Sequence, residues 1–208
     1  MVPANVGVDI WGQIDRGIDI LKRGGLVAFP TDTVYGLGAC YNDCKAVGRV
    51  FRIKKRPKNK ALPLILAEVD QMEEIVEYMP SVARLLASRF MPGALTLVMQ
   101  KSDAVPDIVT GGSRTVAFRV SAHPVPIALI KGAGVPIVGT SVNISGQPSA
   151  VTGDEVRSQF GDEIDLVISG RCSGGRESTI IDVTGEVPRV LREGAISRQE
   201  IMKVCRII

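Results

Sequence analysis

Hydrophobic positions along the chain follow two spacings, one typical of helices and one typical of buried strands. In residues 10–21 an aliphatic side chain recurs every three or four positions, which predicts an amphipathic helix. The positions on its apolar stripe are Ile10, Ile14, Ile18 and Leu21. Gly24 follows as a C-terminal cap. Short apolar runs such as LVAFP and LPLIL are instead typical of buried strands.

Predicted helices and strands interleave along the rest of the chain. Further helices are predicted at 42–55, 68–78, 81–90, 123–134, 152–160 and 197–204. Strands are predicted at 26–30, 62–66, 94–100, 115–120, 135–141, 165–169, 178–184 and 188–192. This order is typical of an α/β fold, an open, twisted, mixed β-sheet with helices packed on it. We expect one domain over residues 1–208, with its core at about 10–200.

The composition changes this picture little but excludes several classes of protein. With 208 residues, of which 45% are apolar and 23% charged, the chain can bury a sizeable core and is too hydrophobic to stay disordered. No apolar run is long enough to span a bilayer. The N-terminal MVPANVGVDI lacks the charged and apolar regions of a secretory signal. We therefore expect a cytoplasmic protein without membrane contact.

The cysteines and the single histidine give no sign of a metal site. Cys40 and Cys44 have CxxxC spacing, but no second pair follows at zinc-ligand spacing. We expect reduced thiols and no dedicated protein metal site. His123 precedes Pro124 and is expected in a turn. The absence of a GxSxG motif argues against an esterase.

Positive charge is concentrated in one segment. The formal net charge is +3, yet residues 49–60 hold seven of the 25 cations, which leaves 18 cations against 22 acids elsewhere. A local cluster of this kind, RIKKRPKNK, favours a specific anionic partner. The alternative is a solvated helix end whose cations complement the helix dipole. GxxxxGK[ST] and GxGxxG are both absent, so side-chain cations would have to neutralise any bound phosphates.

Polar side chains follow two of the predicted strands. In FPTDTVYGLG (29–38), Thr31, Asp32, Thr33 and Tyr35 could hydrogen-bond a small polar ligand, because ligands bind at strand ends of open α/β sheets. In TSVNISGQPS (140–149), Ser141 and Asn143 alternate and point to one side. Capped turns are the structural alternative for both segments.

An arginine lies in a strand that is otherwise built for burial. Arg119 in TVAFRV requires an anion or a carboxylate, because a buried unpaired guanidinium is costly. A bound anionic ligand and an internal salt bridge both satisfy this requirement.

Seven segments together resemble a known family. In order they are FPTDTVYGLG, the KKRP segment leading to ALPLIL, PGALTLVM, TVAFRVSAHP, TSVNISGQPS, ESTIIDVT and VLREGAIS. They are similar to the YrdC-like family of L-threonylcarbamoyladenylate synthases over about residues 10–200. The resemblance implies an open α/β sheet with a concave, basic cavity. It also implies a nucleotidyltransferase that joins L-threonine, bicarbonate and ATP into threonylcarbamoyl-AMP and pyrophosphate. A separate tRNA threonylcarbamoyl-transfer complex would use the product for N6-threonylcarbamoyladenosine formation.

The resemblance also implies roles for particular residues. Lys54 and Arg56 would be catalytic and would stabilise the leaving pyrophosphate. The nucleotide would contact Arg56, Lys60, Thr115, Ser141, Asn143, Ser149 and Arg192. L-threonine would contact Thr33, Tyr35, Arg119, Gly139 and Ser178. Mg²⁺ would arrive with ATP. Some members carry an extra C-terminal domain that closes over the cavity; this chain stops at Ile208, so we expect a local loop or a partner to do so.

Two other functions stay open at this point. The basic segment could track the backbone of tRNA or double-stranded RNA, either as an RNA-binding module or in addition to catalysis. Against a pure RNA-binding module, the rest of the chain is net acidic and only nine aromatic residues are available. The third function is a small-ligand-binding regulator without turnover.

Overall fold

A computed structural model describes residues 9–208, which form a nine-stranded β-sheet. The strands are β1 (Val27–Phe29), β2 (Gly36–Cys40), β3 (Leu64–Leu66), β4 (Leu95–Gln100), β5 (Thr115–Val120), β6 (Ile137–Ser141), β7 (Leu166–Val167), β8 (Thr179–Asp182) and β9 (Arg189–Arg192). They lie in the order β7-β1-β2-β6-β3-β5-β4-β8-β9. Residues 1–8, where a secretory signal would begin, lie outside the described residues.

The sheet is mixed. The pairs β1–β7, β3–β5 and β4–β8 are parallel, and the other neighbouring strands are antiparallel. The expected open, mixed α/β sheet is therefore confirmed.

Eight α-helices connect and cover the strands within residues 9–208. They are α1 (Ile10–Lys22), α2 (Cys44–Ile53), α3 (Met72–Ile75), α4 (Ser81–Phe90), α5 (Asp107–Thr110), α6 (Pro124–Ala133), α7 (Gly153–Phe160) and α8 (Arg198–Met202). The first helix begins and ends close to its predicted bounds. The helix predicted at 68–78 is a 3₁₀ turn at Val69–Gln71 followed by the short α3. The last helix ends at Met202, two residues before its predicted end.

The two faces of the sheet carry separate hydrophobic clusters. Side chains alternate between faces along a strand, so Leu64 and Leu66 of β3 join the larger cluster, with residues of α2, α4, α7 and α8. Ile65, between them, joins the smaller cluster under α1 and α6. The helices α1 and α6 cover only part of this second face of the sheet.

Strand β2 is the main element that the sequence did not predict. Its residues GLGAC lie between the strand predicted at 26–30 and the helix predicted at 42–55, and glycine is depleted in strands. The two glycines have a packing reason. A Cβ built on Gly36 or on Gly38 would lie 2.7 Å from the ring of Phe29 on the neighbouring strand. The bare backbone of β2 therefore makes room for that ring, which is fully buried.

Helix α2 ends in a turn that reverses direction inside the basic segment. The Arg56 N–H donates to the Phe51 carbonyl at 2.9 Å, and the Lys55 N–H donates to the Arg52 carbonyl at 3.0 Å. This is the Schellman pattern, which places the residue after the cap in the left-handed region. That residue is Lys55, with φ +50°. The turn leaves Lys55 exposed and places its neighbours Lys54 and Arg56 in the wall of a cavity.

We expect Lys55→Gly to raise the free energy of unfolding by up to about 1 kcal/mol, because glycine adopts positive φ without the Cβ clash of other residues. Urea unfolding of the full chain measures the change. Lys55→Ala is the matched control, since it removes the same side chain but keeps the Cβ. Equal stability of the two variants, or a less stable glycine variant, would contradict the role assigned to this turn.

Candidate functional site

A cavity of about 430 Å³ lies where α1 and α6 leave the sheet face open. Ile137 at the start of β6 packs in the cluster under these helices. Gly139 and Ser141 lie on the same face, two and four residues further along β6, and line the cavity. Ala117 and Arg119 of β5 line it from the other side of β3. The floor is therefore a bare stretch of sheet.

The cavity brings together ten of the thirteen residues to which the resemblance gives a role. They are Thr33, Tyr35, Lys54, Arg56, Arg119, Gly139, Ser141, Asn143, Ser178 and Arg192. They come from six separate parts of the chain, so the fold alone makes them neighbours. The lining contains four cationic side chains and one carboxylate, that of Glu177.

Lys60, Thr115 and Ser149 do not line the cavity. Lys60 is exposed, and its carbonyl accepts a hydrogen bond from Arg56 Nε at 3.1 Å. Thr115 begins β5 on the same face as Arg119, but its hydroxyl pairs with that of Ser113 at 2.9 Å. Ser149 Oγ donates to Glu177 Oε1 at 3.0 Å, so it contacts the lining indirectly. These three residues could contact a nucleotide only if their segments moved or if the nucleotide extended beyond the cavity.

Lys54 is almost fully buried, and its ammonium is held by the segment after β6. Nζ donates to the carbonyls of Ser141 and Asn143, the latter at 2.8 Å, and to Asn143 Oδ1 at 3.0 Å. These contacts use all three N–H donors of Nζ. A direct hydrogen bond from Lys54 to the leaving pyrophosphate therefore does not fit this arrangement. Lys54 supplies positive charge and holds Ser141 and Asn143 at the cavity wall.

The environment of Lys54 changes its protonation. Burial, and then the nearby Arg56 charge, lower the pKa of Lys54 from 10.5 to about 8, while Glu177 acts in the opposite direction. A cavity lysine with this pKa is charged at neutral pH and loses its charge in mildly alkaline solution.

Arg56 faces the cavity with unused donors. Its Nε donates to the Lys60 carbonyl and its Nη2 to the Ala61 carbonyl at 2.7 Å, which fixes the plane of the guanidinium. Nη1 makes no hydrogen bond with any residue in 9–208. Burial lowers the pKa of Arg56, but an arginine stays protonated at any physiological pH. Of the two basic residues, Arg56 is the one that can donate directly to an anion.

Arg119 forms a buried ion pair inside the protein. Its Nη1 donates to both carboxylate oxygens of Asp32, at 2.9 and 3.0 Å, and to the Gly93 carbonyl at 3.3 Å. Nη2 donates to Thr33 Oγ1 at 3.2 Å. The Ser121 hydroxyl also donates to Asp32. The internal salt bridge considered from the sequence is thus present, and the guanidinium also reaches the cavity.

A turn built by threonines presents Thr33 to this cluster. Thr31 Oγ1 donates to the Val34 carbonyl at 2.7 Å and accepts from the Thr33 N–H at 3.0 Å. The capped turn that was the alternative for this segment is therefore real, and it also shapes the cavity. Tyr35 also lines the wall, and its hydroxyl donates to the Ile168 carbonyl at 2.7 Å. Burial raises the pKa of Tyr35, so it stays neutral.

The cavity lining also holds a second charge pair. Arg192 Nη1 pairs with Glu177, and Nη2 donates to the Ser178 carbonyl at 2.8 Å. The Ser178 hydroxyl is hydrogen-bonded to Thr96 Oγ1 at 2.8 Å. This pair is more exposed than Asp32–Arg119: the side chains of Arg192 and Glu177 are 41% and 38% exposed. A ligand phosphate could therefore displace Glu177 from Arg192 at low cost.

Gly139 cannot offer its N–H to a substrate. That N–H donates to the Pro63 carbonyl at 2.8 Å. A Cβ at this position would lie 2.2 Å from Ile65 Cδ1, so glycine is needed for packing against β3. The contact between L-threonine and Gly139 that the resemblance implies must use another atom of Gly139.

Asp32, Thr96 and Glu177 contribute to the site but were not among the predicted site residues. The polar character of FPTDTVYGLG indicates Asp32 as a hydrogen-bonding side chain. Glu177 precedes Ser178 in the ESTIIDVT segment, and Thr96 interrupts the apolar run of β4, but neither pattern by itself indicates a site.

The remaining candidates lie outside the site. His123 caps the N-terminus of α6 through Nδ1, and burial lowers its pKa. All four cysteines are free. Residues 9–208 hold no group of three His, Cys, Asp or Glu side chains placed to bind a metal ion. In that part of the chain, no helix has both the length and the hydrophobicity that crossing a bilayer requires.

An open mixed sheet whose bare face carries hydroxyls and cations is an arrangement suited to small anionic ligands. A sequence model of the Sua5_yciO_yrdC family, described as telomere recombination, matches residues 19–194. The chain belongs to this family, and the resemblance found in the sequence is confirmed.

Named relatives cover this chain almost completely. The threonylcarbamoyl-AMP synthase of Pyrococcus abyssi is 44% identical over 198 residues, which are 95% of this chain and 58% of the relative. A putative threonylcarbamoyl-AMP synthase of Mycobacterium tuberculosis is 38% identical over 92% of this chain and 90% of the relative. The crystal structure of P. abyssi Sua5 complexed with L-threonine has a TM-score of 0.91 and 41% identity, over 97% of this chain and 60% of that one. The chain thus spans about six-tenths of the P. abyssi protein.

The lowered pKa of Lys54 predicts a pH effect on stability. Between pH 8 and 10.5 the unfolded chain holds the Lys54 proton more tightly than the folded chain, so the contribution of Lys54 to the free energy of unfolding increases as pH rises through this window. We expect wild type to gain about 1–2 kcal/mol relative to Lys54→Met between pH 8 and 9.5. Urea unfolding of both proteins at the two pH values measures this difference. A constant or shrinking difference would contradict the assigned environment.

Proposed function

We propose that this chain is an L-threonylcarbamoyladenylate synthase, which makes threonylcarbamoyl-AMP and pyrophosphate from L-threonine, bicarbonate and ATP. One observation carries the proposal: a single cavity joins Arg119 and Thr33 to Arg56, Ser141 and Asn143. The names of the relatives from P. abyssi and M. tuberculosis support it, as does the P. abyssi Sua5 complex with L-threonine.

The cavity offers two chemically different sets of groups for two substrates. Arg119 and the hydroxyls of Thr33 and Ser178 suit the carboxylate and hydroxyl of L-threonine. Arg56 and the polar side chains of Ser141 and Asn143 suit a nucleotide, with the more exposed Arg192 as a further cation. Tyr35 and Gly139 shape the wall between them. Lys60, Thr115 and Ser149 would reach only parts of ATP that extend beyond the cavity.

The pairing of charges explains why the reactants meet here. Asp32 balances Arg119 and Glu177 balances Arg192, so Lys54 and Arg56 are the lining cations without a carboxylate partner. The excess positive charge lies where the phosphates would bind. ATP, bicarbonate and the threonine carboxylate are all anions, and their approach in a partly dry cavity requires such compensation.

The reaction needs no covalent intermediate with the protein. The threonine amine and bicarbonate form an N-carboxylate with loss of water. An oxygen of this group then bonds to the α-phosphorus of ATP, while the bond from that phosphorus to the bridging oxygen breaks and its electron pair leaves with pyrophosphate. Arg56 donates to the phosphate oxygens as their negative charge increases, and the buried Lys54 ammonium adds positive charge without contacting them. Correct positioning of the reactants supplies much of the rate. Mg²⁺ would enter as part of the ATP complex.

We propose that a tRNA threonylcarbamoyl-transfer complex in the cytoplasm uses the product. Direct RNA contact is the alternative use of the same region. Arg52, Lys55, Lys58 and Lys60 are exposed beside the cavity segment, which favours a polyanion at its mouth. RNA affinity through these cations should fall steeply with salt, whereas threonine-dependent ATP turnover should respond less.

The product itself is the direct test of the proposed function. We expect an adduct of AMP, one carboxyl carbon and threonine when the protein is incubated with ATP, ¹³C-bicarbonate and L-threonine, as detected by mass spectrometry. Parallel incubations with serine, valine or no amino acid are the controls. Equal adducts with every amino acid, or none with threonine, would refute the proposal.

Arg56→Ala should reduce kcat/KM for threonine-dependent pyrophosphate release, because a charge-assisted contact to the phosphates is lost. The reduction should correspond to a loss of about 2–4 kcal/mol of transition-state stabilisation. Lys58→Ala is the matched control, since it removes an exposed cation two residues away. The control should retain activity within about threefold, as expected for an exposed charge. Unchanged turnover in Arg56→Ala would refute its assignment.

A further inference from the structure

The proposed reaction uses Asp32 only to balance the charge of Arg119, yet Asp32 makes the shortest contacts to that arginine. Both of its carboxylate oxygens accept from Arg119 Nη1, and the Ser121 hydroxyl donates to Oδ1. The side chains of Asp32 and Arg119 are 13% and 8% exposed, so little solvent screens the pair. Asp32 does not line the cavity itself. Any effect it has on a ligand must pass through Arg119.

The contacts fix one edge of the guanidinium and leave another for a ligand. Asp32 and the Gly93 carbonyl occupy Nη1, and Thr33 occupies one position on Nη2. Within residues 9–208, Nε and the second Nη2 hydrogen have no acceptor. Neighbouring Nε and Nη2 donors form the fork that binds a carboxylate through two parallel hydrogen bonds. Nε and one Nη2 donor of Arg119 thus remain available to a carboxylate.

We propose that Asp32 is a positioning residue for the amino-acid substrate. It holds Arg119 by Nη1 so that the remaining donors face the substrate carboxylate, and Ser121 in turn fixes Asp32. The inference rests on the proposed function, in which Arg119 binds L-threonine.

The direction in which L-threonine affinity changes when Asp32 is replaced distinguishes a positioning role from simple charge balance. If Asp32 only neutralised Arg119, its removal would leave a stronger positive charge and tighten the binding of a carboxylate. If Asp32 orients Arg119, its removal frees the guanidinium to rotate and weakens binding. In Asp32→Asn, the amide nitrogen would also oppose an arginine N–H where an oxygen now accepts. The positioning role therefore predicts weaker binding in spite of the more favourable charge.

A double-mutant cycle tests this coupling. The dissociation constant for L-threonine is measured by titration calorimetry for wild type, Asp32→Asn, Arg119→Gln and the double variant, with ATP as a second ligand. We expect each single variant to bind threonine about 10- to 100-fold more weakly, the range for a lost charge-assisted hydrogen bond. The double variant should be no weaker than Arg119→Gln, because Asp32 acts only through Arg119. ATP affinity should change less than about threefold, as for uncoupled sites.

Each outcome decides between the claims. If Arg119→Gln binds threonine like wild type, the proposed role of Arg119 fails and the inference fails with it. If Arg119→Gln loses binding but Asp32→Asn keeps or improves it, only the positioning role is overturned. Additive losses, or equal losses for threonine and ATP, would show a general structural effect and would also overturn it.

Ser121→Ala provides the same test where Asp32→Asn does not fold. It removes one hydrogen bond to Asp32 and leaves the ion pair in place. We expect a weaker but parallel effect, about 3- to 10-fold on threonine, because Ser121 acts on the substrate only through Asp32 and Arg119. This loss should disappear in the Arg119→Gln background, and persistence of the loss there would overturn the positioning role.

Discussion

The ammonium group of Lys54 connects the parts of the chain from which the cavity is built. It extends from the C-terminal end of α2 to the carbonyls of Ser141 and Asn143, just after β6. The backbone carbonyl of Lys54 also accepts from the Ser145 N–H at 2.9 Å. A buried cation with three oxygen acceptors is stable only if all of them stay in place. The cavity wall therefore depends on this one side chain, and the wall presents Arg56 and the polar loop to the same space.

The other charges of the site follow the same constraint. A cation placed on a sheet face needs a partner while no ligand is present, and Asp32 and Glu177 fill this role for Arg119 and Arg192. The buried pair is held rigidly and suits precise orientation, whereas the exposed pair is weak and suits exchange with a ligand. Arg56 has only backbone acceptors, so its charge is the one most available to an incoming anion.

The sequence predicted much of the fold because most elements bury a clear apolar stripe or run. It missed β2, whose glycines are explained by the ring of Phe29, a contact between strands that no local pattern reveals. It also made the helix after residue 68 too long, because apolar spacing does not show where a 3₁₀ turn replaces an α-helix. Seven segments in order were specific enough to indicate the family, whereas composition and charge alone left an RNA-binding module open.

The sequence predicted which residues belong to the candidate site better than it predicted the contacts that they make. The resemblance named ten residues that the fold brings to one cavity, but it could not show that the donors of Lys54 and the N–H of Gly139 are already used. The pairings of Asp32 with Arg119 and of Glu177 with Arg192 were likewise hidden, because ion pairs between distant residues depend on the three-dimensional path of the chain.

The central claim is that amino acid and nucleotide meet on the bare face of the sheet. A crystal structure of the protein with L-threonine and a non-hydrolysable ATP analogue tests it most directly. We expect the threonine carboxylate within hydrogen-bond distance of Arg119 and the phosphates at Arg56, with the α-phosphorus facing the threonine amine. Binding of either ligand elsewhere, for example in the polar pocket lined by Glu77, Lys101 and Arg114, would contradict the claim.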